Sequence, residues 1–255
     1  MKKTLIIVLI SCFGIFIVLT LILNSKDENY IIFDNNLFLS INDGRVSEIS
    51  SDLLFDRDYN AFYQKEYIGK YELHSIDDEF GKLFFSNSKS DDTYSFETPY
   101  LAITPGIKFI PFEAVDADIN DLSLLSFDLD KYWISSIDDL NVFKKVIFDV
   151  DNDDVDETVY YASYWNYLDT GADLDKSFSI TFLVDNNKVY VLDDAVFYGT
   201  SLDDDEVFYT MDNVVLEYLL EVDGSIVMVV ASKSIDVSFY SLYEFNDERV
   251  INYYS

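Results

Sequence analysis

The sequence predicts an all-β, mainly antiparallel protein, propeller-like or stacked-sheet in architecture, behind one N-terminal transmembrane helix. Three observations predict it. Aromatic residues fill 17% of the 255 positions, with 21 Phe and 20 Tyr, and such side chains suit pleated, half-buried surfaces. Short apolar or alternating segments recur between turns rich in Asn and Asp. One uncharged run, residues 5–23, stands apart at the N-terminus. A hydrophobic share of 49% is ample for a core, so a wholly disordered chain is excluded.

Residues 1–4 read as a cytoplasmic stub and 5–23 as a transmembrane signal anchor. As a helix that run spans about 28 Å at roughly 1.5 Å per residue, against a hydrocarbon core of about 30 Å. Lys2 and Lys3 precede it and are expected to stay inside. The expected location is therefore the cell membrane, single-pass, with the C-terminal part extracytoplasmic. No small-x-small cleavage site marks the junction with Asn24-Ser25-Lys26, which favours an uncleaved anchor over a cleaved secretory signal. Leu9-Ile10-Ser11-Cys12 resembles a bacterial lipobox over four residues. The apolar run continues from Phe13 to Leu23, where a mature lipoprotein is usually polar.

Residues 24–29 form a polar tether, and 30–104 an N-terminal β-rich region. Ile31–Phe33, Leu37–Ile41 and Val46–Ile49 read as strands joined through Asp34-Asn35-Asn36 and Asn42-Asp43-Gly44, which carry hairpin-turn chemistry. Pro99, Pro105 and Pro111 are the only prolines. Proline interrupts ladders and stiffens connections, so 105–111 reads as a connection into a C-terminal β-repeat domain, 112–255. One continuous sheet system with a kinked connection is the alternative.

In that domain Phe178–Val184 alternates with period two. Asp185-Asn186-Asn187 turns it into Lys188–Leu192, and Asn246-Asp247 joins Val237–Phe245 to Glu248–Tyr254. Asn and Asp take the left-handed turn positions that eight glycines leave unfilled. Asp118–Leu129 has near-helical apolar spacing, at Ile119, Leu122, Leu125 and Leu129. Met211–Val222 fits either period and is read as a strand from the repeat described next.

Phe148-Asp149-Val150-Asp151, then Thr158–Ser163, Phe178–Val184 and Lys188–Leu192, has a counterpart. It is Leu220-Glu221-Val222-Asp223, then Ile226–Ser232, Val237–Phe245 and Glu248–Tyr254. Both run strand, acidic loop, strand ending in Ala-Ser, long strand, turn, strand. Asp149 aligns with Glu221 and Asp151 with Asp223, 72 residues on. Such units suit propeller blades or stacked antiparallel sheets.

Charge narrows the partners. The chain carries −31 overall, and its 48 acids begin only at Asp27. That field repels nucleic acid and anionic headgroups, so a nucleic-acid partner is not expected. Much of it is accounted for as a solvated surface. Cys12, inside the apolar run, is the only cysteine. The rest of the chain can hold no disulfide, thiolate nucleophile or zinc–cysteine site. His74 is the only histidine, so no His-based catalytic or metal cluster can form.

One stretch has spacing that implies chemistry: Asp149-Val150-Asp151-Asn152-Asp153-Asp154-Val155-Asp156-Glu157. Alternate carboxylates on a tight loop between strands can converge on one hard cation such as Ca²⁺, with oxygen ligands at about 2.3–2.6 Å. The stretch resembles the calcium loop of FG-GAP/VCBS-type, integrin-like β-propeller repeats, Asp-x-Asp-x-Asp-Gly-x-x-Asp/Glu between two strands. The resemblance implies Asp149, Asp151, Asp153 and Glu157 as side-chain ligands and Val155 as a carbonyl ligand. It covers the C-terminal half only. Asp154 stands where that pattern has glycine, a place that wants a left-handed backbone. The loop is no EF-hand, because Tyr160 occupies the twelfth place and the flanks are strands. The bland alternative is an acid-rich hairpin loop that holds nothing.

The functional expectation is a membrane-anchored, outward-facing binding module for a protein or glycan, stabilised by Ca²⁺. An extracytoplasmic hydrolase using paired carboxylates and an accessory subunit of an envelope complex are the alternatives. No nucleophile motif or glycine-rich phosphate loop supports catalysis.

Overall fold

The structure, a computed structural model, describes residues 28–34, 37–42, 44–50, 53–55, 57–77, 82–86, 93–95, 100–118, 140, 142–164, 167–168, 171–172, 177–196, 213–233, 238–246 and 249–255. Among these the regular structure is β, with no α-helix, and the strands pair antiparallel. No helix of the described residues is long and apolar enough to cross a membrane. The expected anchor, 5–23, lies outside them. So does the helical expectation for 118–129 beyond Asp118. The chain divides into two compact units, Met1–Tyr63 with Ile68–Gly106, and Gln64–Tyr67 with Ile107–Ser255.

The first unit holds an eight-stranded sheet. Its strands are β1 (Asn29–Phe33), β2 (Leu37–Asn42), β3 (Arg45–Glu48), β4 (Asp58–Tyr63), β5 (Glu66–Asp77), β6 (Lys82–Ser86), β7 (Thr93–Ser95) and β8 (Tyr100–Ile103). They run in the order β3-β2-β1-β8-β4-β5-β6-β7. Every residue of β1 and β8 is buried, which explains why Tyr-Ile-Ile-Phe and Tyr-Leu-Ala-Ile are continuous apolar runs rather than alternating ones. Asp34 ends β1 in a left-handed backbone (φ 50°). Its Oδ1 accepts the Tyr100 N–H at 2.8 Å, and its own N–H donates to the Tyr100 carbonyl at 3.0 Å. At the other end Thr104 Oγ1 accepts the Tyr30 N–H at 3.0 Å. Both ends of the central strand pair are thus closed by a side chain. Tyr30, Tyr59, Tyr71 and Tyr100 build the core with Ile32, Leu54 and Leu73. The Tyr59 hydroxyl donates to the Leu54 carbonyl at 2.9 Å, so a buried phenol keeps a partner.

The second unit holds two five-stranded sheets. The remaining strands are β9 (Ile107–Ile110), β10 (Val115–Asp116), β11 (Val142–Phe148), β12 (Glu157–Tyr164), β13 (Tyr167–Leu168), β14 (Gly171–Ala172), β15 (Phe178–Asp185), β16 (Lys188–Val196), β17 (Asn213–Val222), β18 (Ser225–Lys233), β19 (Ser238–Asn246) and β20 (Arg249–Tyr254). One sheet runs β10-β11-β12-β15-β16 and the other β20-β19-β18-β17-β9, with β13-β14 a separate two-stranded hairpin. β9 lies within the stretch that sequence marks as a proline-bounded connection. β17, ambiguous in sequence, is a strand. A bulge between Leu216 and Tyr218 shifts its register with β18.

The two sheets have one connectivity, a four-stranded meander plus one added edge strand beside its first member. Their registers correspond. Phe143 pairs with Ala162 and Ala162 with Ile180 in one sheet; Val215 pairs with Ala231 and Ala231 with Tyr240 in the other. Each added edge strand carries one charge pair to the meander, Asp116 with Lys144 and Lys108 with Glu221 at 2.6 Å.

The sheets face each other across a single core. Val146, Val150, Val159 and Leu183 come from one side, and Leu216, Met228, Val230 and Phe245 from the other. This is the stacked-sheet arrangement. The propeller-like alternative finds no closure around a channel among the described residues. A polar stitch reinforces the stack: Ser179 Oγ accepts the Val214 N–H, and Thr181 Oγ1 donates to the Val214 carbonyl, both at 2.8 Å and buried. Phe178, Ile180 and Phe182 project to the opposite face of β15, where Phe143, Tyr160 and Phe182 stack with centroids 5.5 and 5.3 Å apart. Burying each large apolar side chain is worth about 1.5–3 kcal/mol.

Candidate metal centre

The loop between β11 and β12 is built from inside outwards. Val150 is fully buried in the core shared by both sheets, which pins the start of the loop. Its N–H donates to Glu157 Oε2 at 2.9 Å, so the glutamate that opens β12 folds back and closes the loop on itself. Asn152 and Asp154 adopt left-handed backbones, φ 60° and 68°. These are residue types that tolerate that conformation better than most. The left-handed backbone expected at Asp154, in place of glycine, is present.

This curl brings Asp149, Asp151 and Asp153 together. One carboxylate oxygen from each lies within 4.8 Å of the other two. Ligands about 2.3–2.6 Å from a common Ca²⁺ stand no farther apart than about twice that distance, so the three oxygens fit one ion. Glu157 is outside that set and is buried at 3% exposure. Val155 has an exposed side chain, and its N–H donates to Asp153 Oδ1 at 2.8 Å. Asp149 is partly engaged with the backbone: Oδ1 accepts the Asp153 N–H at 3.1 Å and Oδ2 the Asp154 N–H at 3.0 Å. Asp151 Oδ1 is different. It is a buried oxygen with no hydrogen-bond partner, an uncommon and costly condition in a folded protein. A carboxylate-rich donor set with one orphaned buried oxygen fits a hard cation.

The electrostatics agree. Burial pushes the Asp151 carboxyl above its usual range, and Asp153, Asp149 and Asp185 push it further, against one backbone hydrogen bond. Burial likewise raises Glu157, opposed by the Val150 N–H and reinforced by Asp151, Asp153 and Asp185. The side-chain charges that act on these two groups are all carboxylates.

Sequence reasoning did not find Asp185 or Asn152. Asp185 is buried at the end of β15, directly after Val184, whose cross-strand partner is Thr158, the neighbour of Glu157. Only the strand pairing reveals that proximity. Asn152 Nδ2 donates to the Gly224 carbonyl at 3.2 Å, linking the loop to the β17–β18 turn. That turn, with Asp223 at φ 52° and Gly224 at 88°, is a tight two-residue reversal without the carboxylate series. Glu221, which aligns with Asp149, is paired with Lys108.

Comparisons of the chain with family models, with curated proteins and with solved structures gave no match.

Proposed function

We propose that this chain is a membrane-anchored, outward-facing β-module that binds a protein or glycan partner, and that Ca²⁺ held by the Asp149–Glu157 loop stabilises it. The observation that carries the ion is the convergence of Asp149, Asp151 and Asp153 around the unpartnered Asp151 Oδ1. In the corresponding hairpin a lysine pairs with Glu221, whereas the side-chain charges that act on Asp151 and Glu157 are all carboxylates. A divalent cation supplies the missing charge, and like charges crowded without one oppose the compact state. The loop is read as FG-GAP/VCBS-like, set here at one end of stacked sheets. Extracellular modules of this kind bind Ca²⁺ at about 10⁻⁴–10⁻³ M, a range that suits an extracytoplasmic site.

The anchor rests on residues 5–23 and the lysines before them, and the exclusion of nucleic acid rests on a net charge of −31. The test is thermal unfolding with chelator and with millimolar Ca²⁺. The melting temperature rises in the native protein and does not rise in Asp151→Ala. An equal rise in both would remove the site assignment.

A further inference from the structure

We infer that the β11–β12 loop is a strap that ties the two sheets of the second unit together at one end. The state of the loop is thereby transmitted to the β17–β18 hairpin. Two contacts carry this, and neither is an acidic group. Val150 leaves the loop for the shared core, where it packs with residues of both sheets at 0% exposure. Asn152, exposed, donates to the Gly224 carbonyl of the opposite sheet's turn. Between these anchor points the backbone is fixed by the Glu157 bond to the Val150 N–H and by the left-handed Asn152. The loop is therefore a bridge with one foot in the shared core and one on the turn of the opposite sheet.

The register makes this connection long and the other short. The β17–β18 turn closes in two residues, between the paired Val222 and Ser225. Its Gly224 carbonyl accepts from Asn152 of the longer loop, which runs from Phe148 to its partner Glu157. Asn is suited to the position for two reasons: it tolerates a positive φ, and it has a donor that Asp lacks. On the reading that the loop holds Ca²⁺, ordering it from Asp149 to Asp153 also orders Asn152 between them. The ion then protects a hairpin that contributes no ligand to it.

Amide hydrogen exchange of the full chain tests the strap, comparing the native sequence with Asn152→Gly, which keeps the backbone conformation and removes the donor. In chelator, the amides flanking Asp223 and Gly224 exchange about fivefold faster in Asn152→Gly, the factor that a net hydrogen bond of about 1 kcal/mol gives, while those of β11 are unchanged. Unchanged exchange at the β17–β18 turn overturns the strap. Added CaCl₂ slows exchange in both hairpins of the native protein, but in β11–β12 alone in Asn152→Gly. Slowing confined to β11–β12 in the native protein overturns the transmission. If CaCl₂ alters neither hairpin in either protein, the cation reading fails, and the chelator comparison still decides the strap.

Discussion

Removing the charge of Asp151 while keeping its shape stabilises the ion-free protein. Asp151→Asn leaves an acceptor in place and takes one negative charge from a set whose oxygens lie within 4.8 Å of one another. Two unit charges at that distance repel by about 0.9 kcal/mol in water and about 3.5 kcal/mol at an effective dielectric near 20. Asp153 is exposed and Asp149 half-buried, so solvent screens both pairs and the lower end applies. The expected gain is about 1–2 kcal/mol, or roughly 2–8 °C in melting temperature for a domain of this size. The pH dependence has a definite sign. The folded-state carboxyls of Asp151 and Glu157 lie above their ordinary values of 3.8 and 4.5. The folded protein therefore binds protons more tightly than the unfolded chain. The stability these groups contribute is fully present below those ordinary values and is lost as pH rises through the raised ones. Burial raises Asp193 too, so Asp151→Asn flattens the pH profile without abolishing it. Urea denaturation in chelator across pH 3–8 measures both effects. A loss of stability in Asp151→Asn at neutral pH would show instead that the Asp151 charge supports the ion-free fold and is not frustrated by its neighbours.

Val150→Ala removes packing shared by both sheets and costs about 1–3 kcal/mol, read as a lower urea midpoint; a surface-like cost below about 0.5 kcal/mol would contradict its place in the core. Thr181→Val leaves the buried Val214 carbonyl without its donor and costs about 1–3 kcal/mol, whereas a neutral result would mean the stitch is replaceable. In the first unit, Asp34→Ala loses the bond to the Tyr100 N–H and places alanine at a positive φ. Together these cost about 2–3 kcal/mol. Asp34→Gly, which relieves the backbone, recovers part of that loss, and equal destabilisation by the two variants would show that the backbone term is negligible.

The strands of the second unit were legible where one physical rule governed them. Phe178–Val184 alternates because its two faces differ in kind: Ser179, Thr181 and Leu183 turn to the sheet stack, and Phe178, Ile180 and Phe182 to the aromatic layer. Asn186 and Asn187 are legible as a turn because both take positive φ, as their side chains allow. The β4–β5 hairpin was not legible. It turns at Gln64 and Lys65, both also at positive φ, and neither residue type signals such a turn. β9 was hidden between prolines, since pairing with β17, not local sequence, makes it a strand.

The site divides in the same way. Alternate Asp residues disclosed Asp149, Asp151 and Asp153, because ligand spacing within one loop is a local property. Asp185 and Asn152 act through residues far away in sequence, and only strand register brings them into view. The decisive feature of the loop, the unpartnered Asp151 oxygen, is a property of packing that no spacing encodes.

Calorimetric titration of the ion-free protein with Ca²⁺ decides whether the Asp149–Glu157 loop holds the ion. A single saturable binding event is expected, with dissociation at about 10⁻⁴–10⁻³ M, lost in Asp151→Ala. A titration with no saturable heat up to about 10 mM Ca²⁺, well beyond that range, would contradict it.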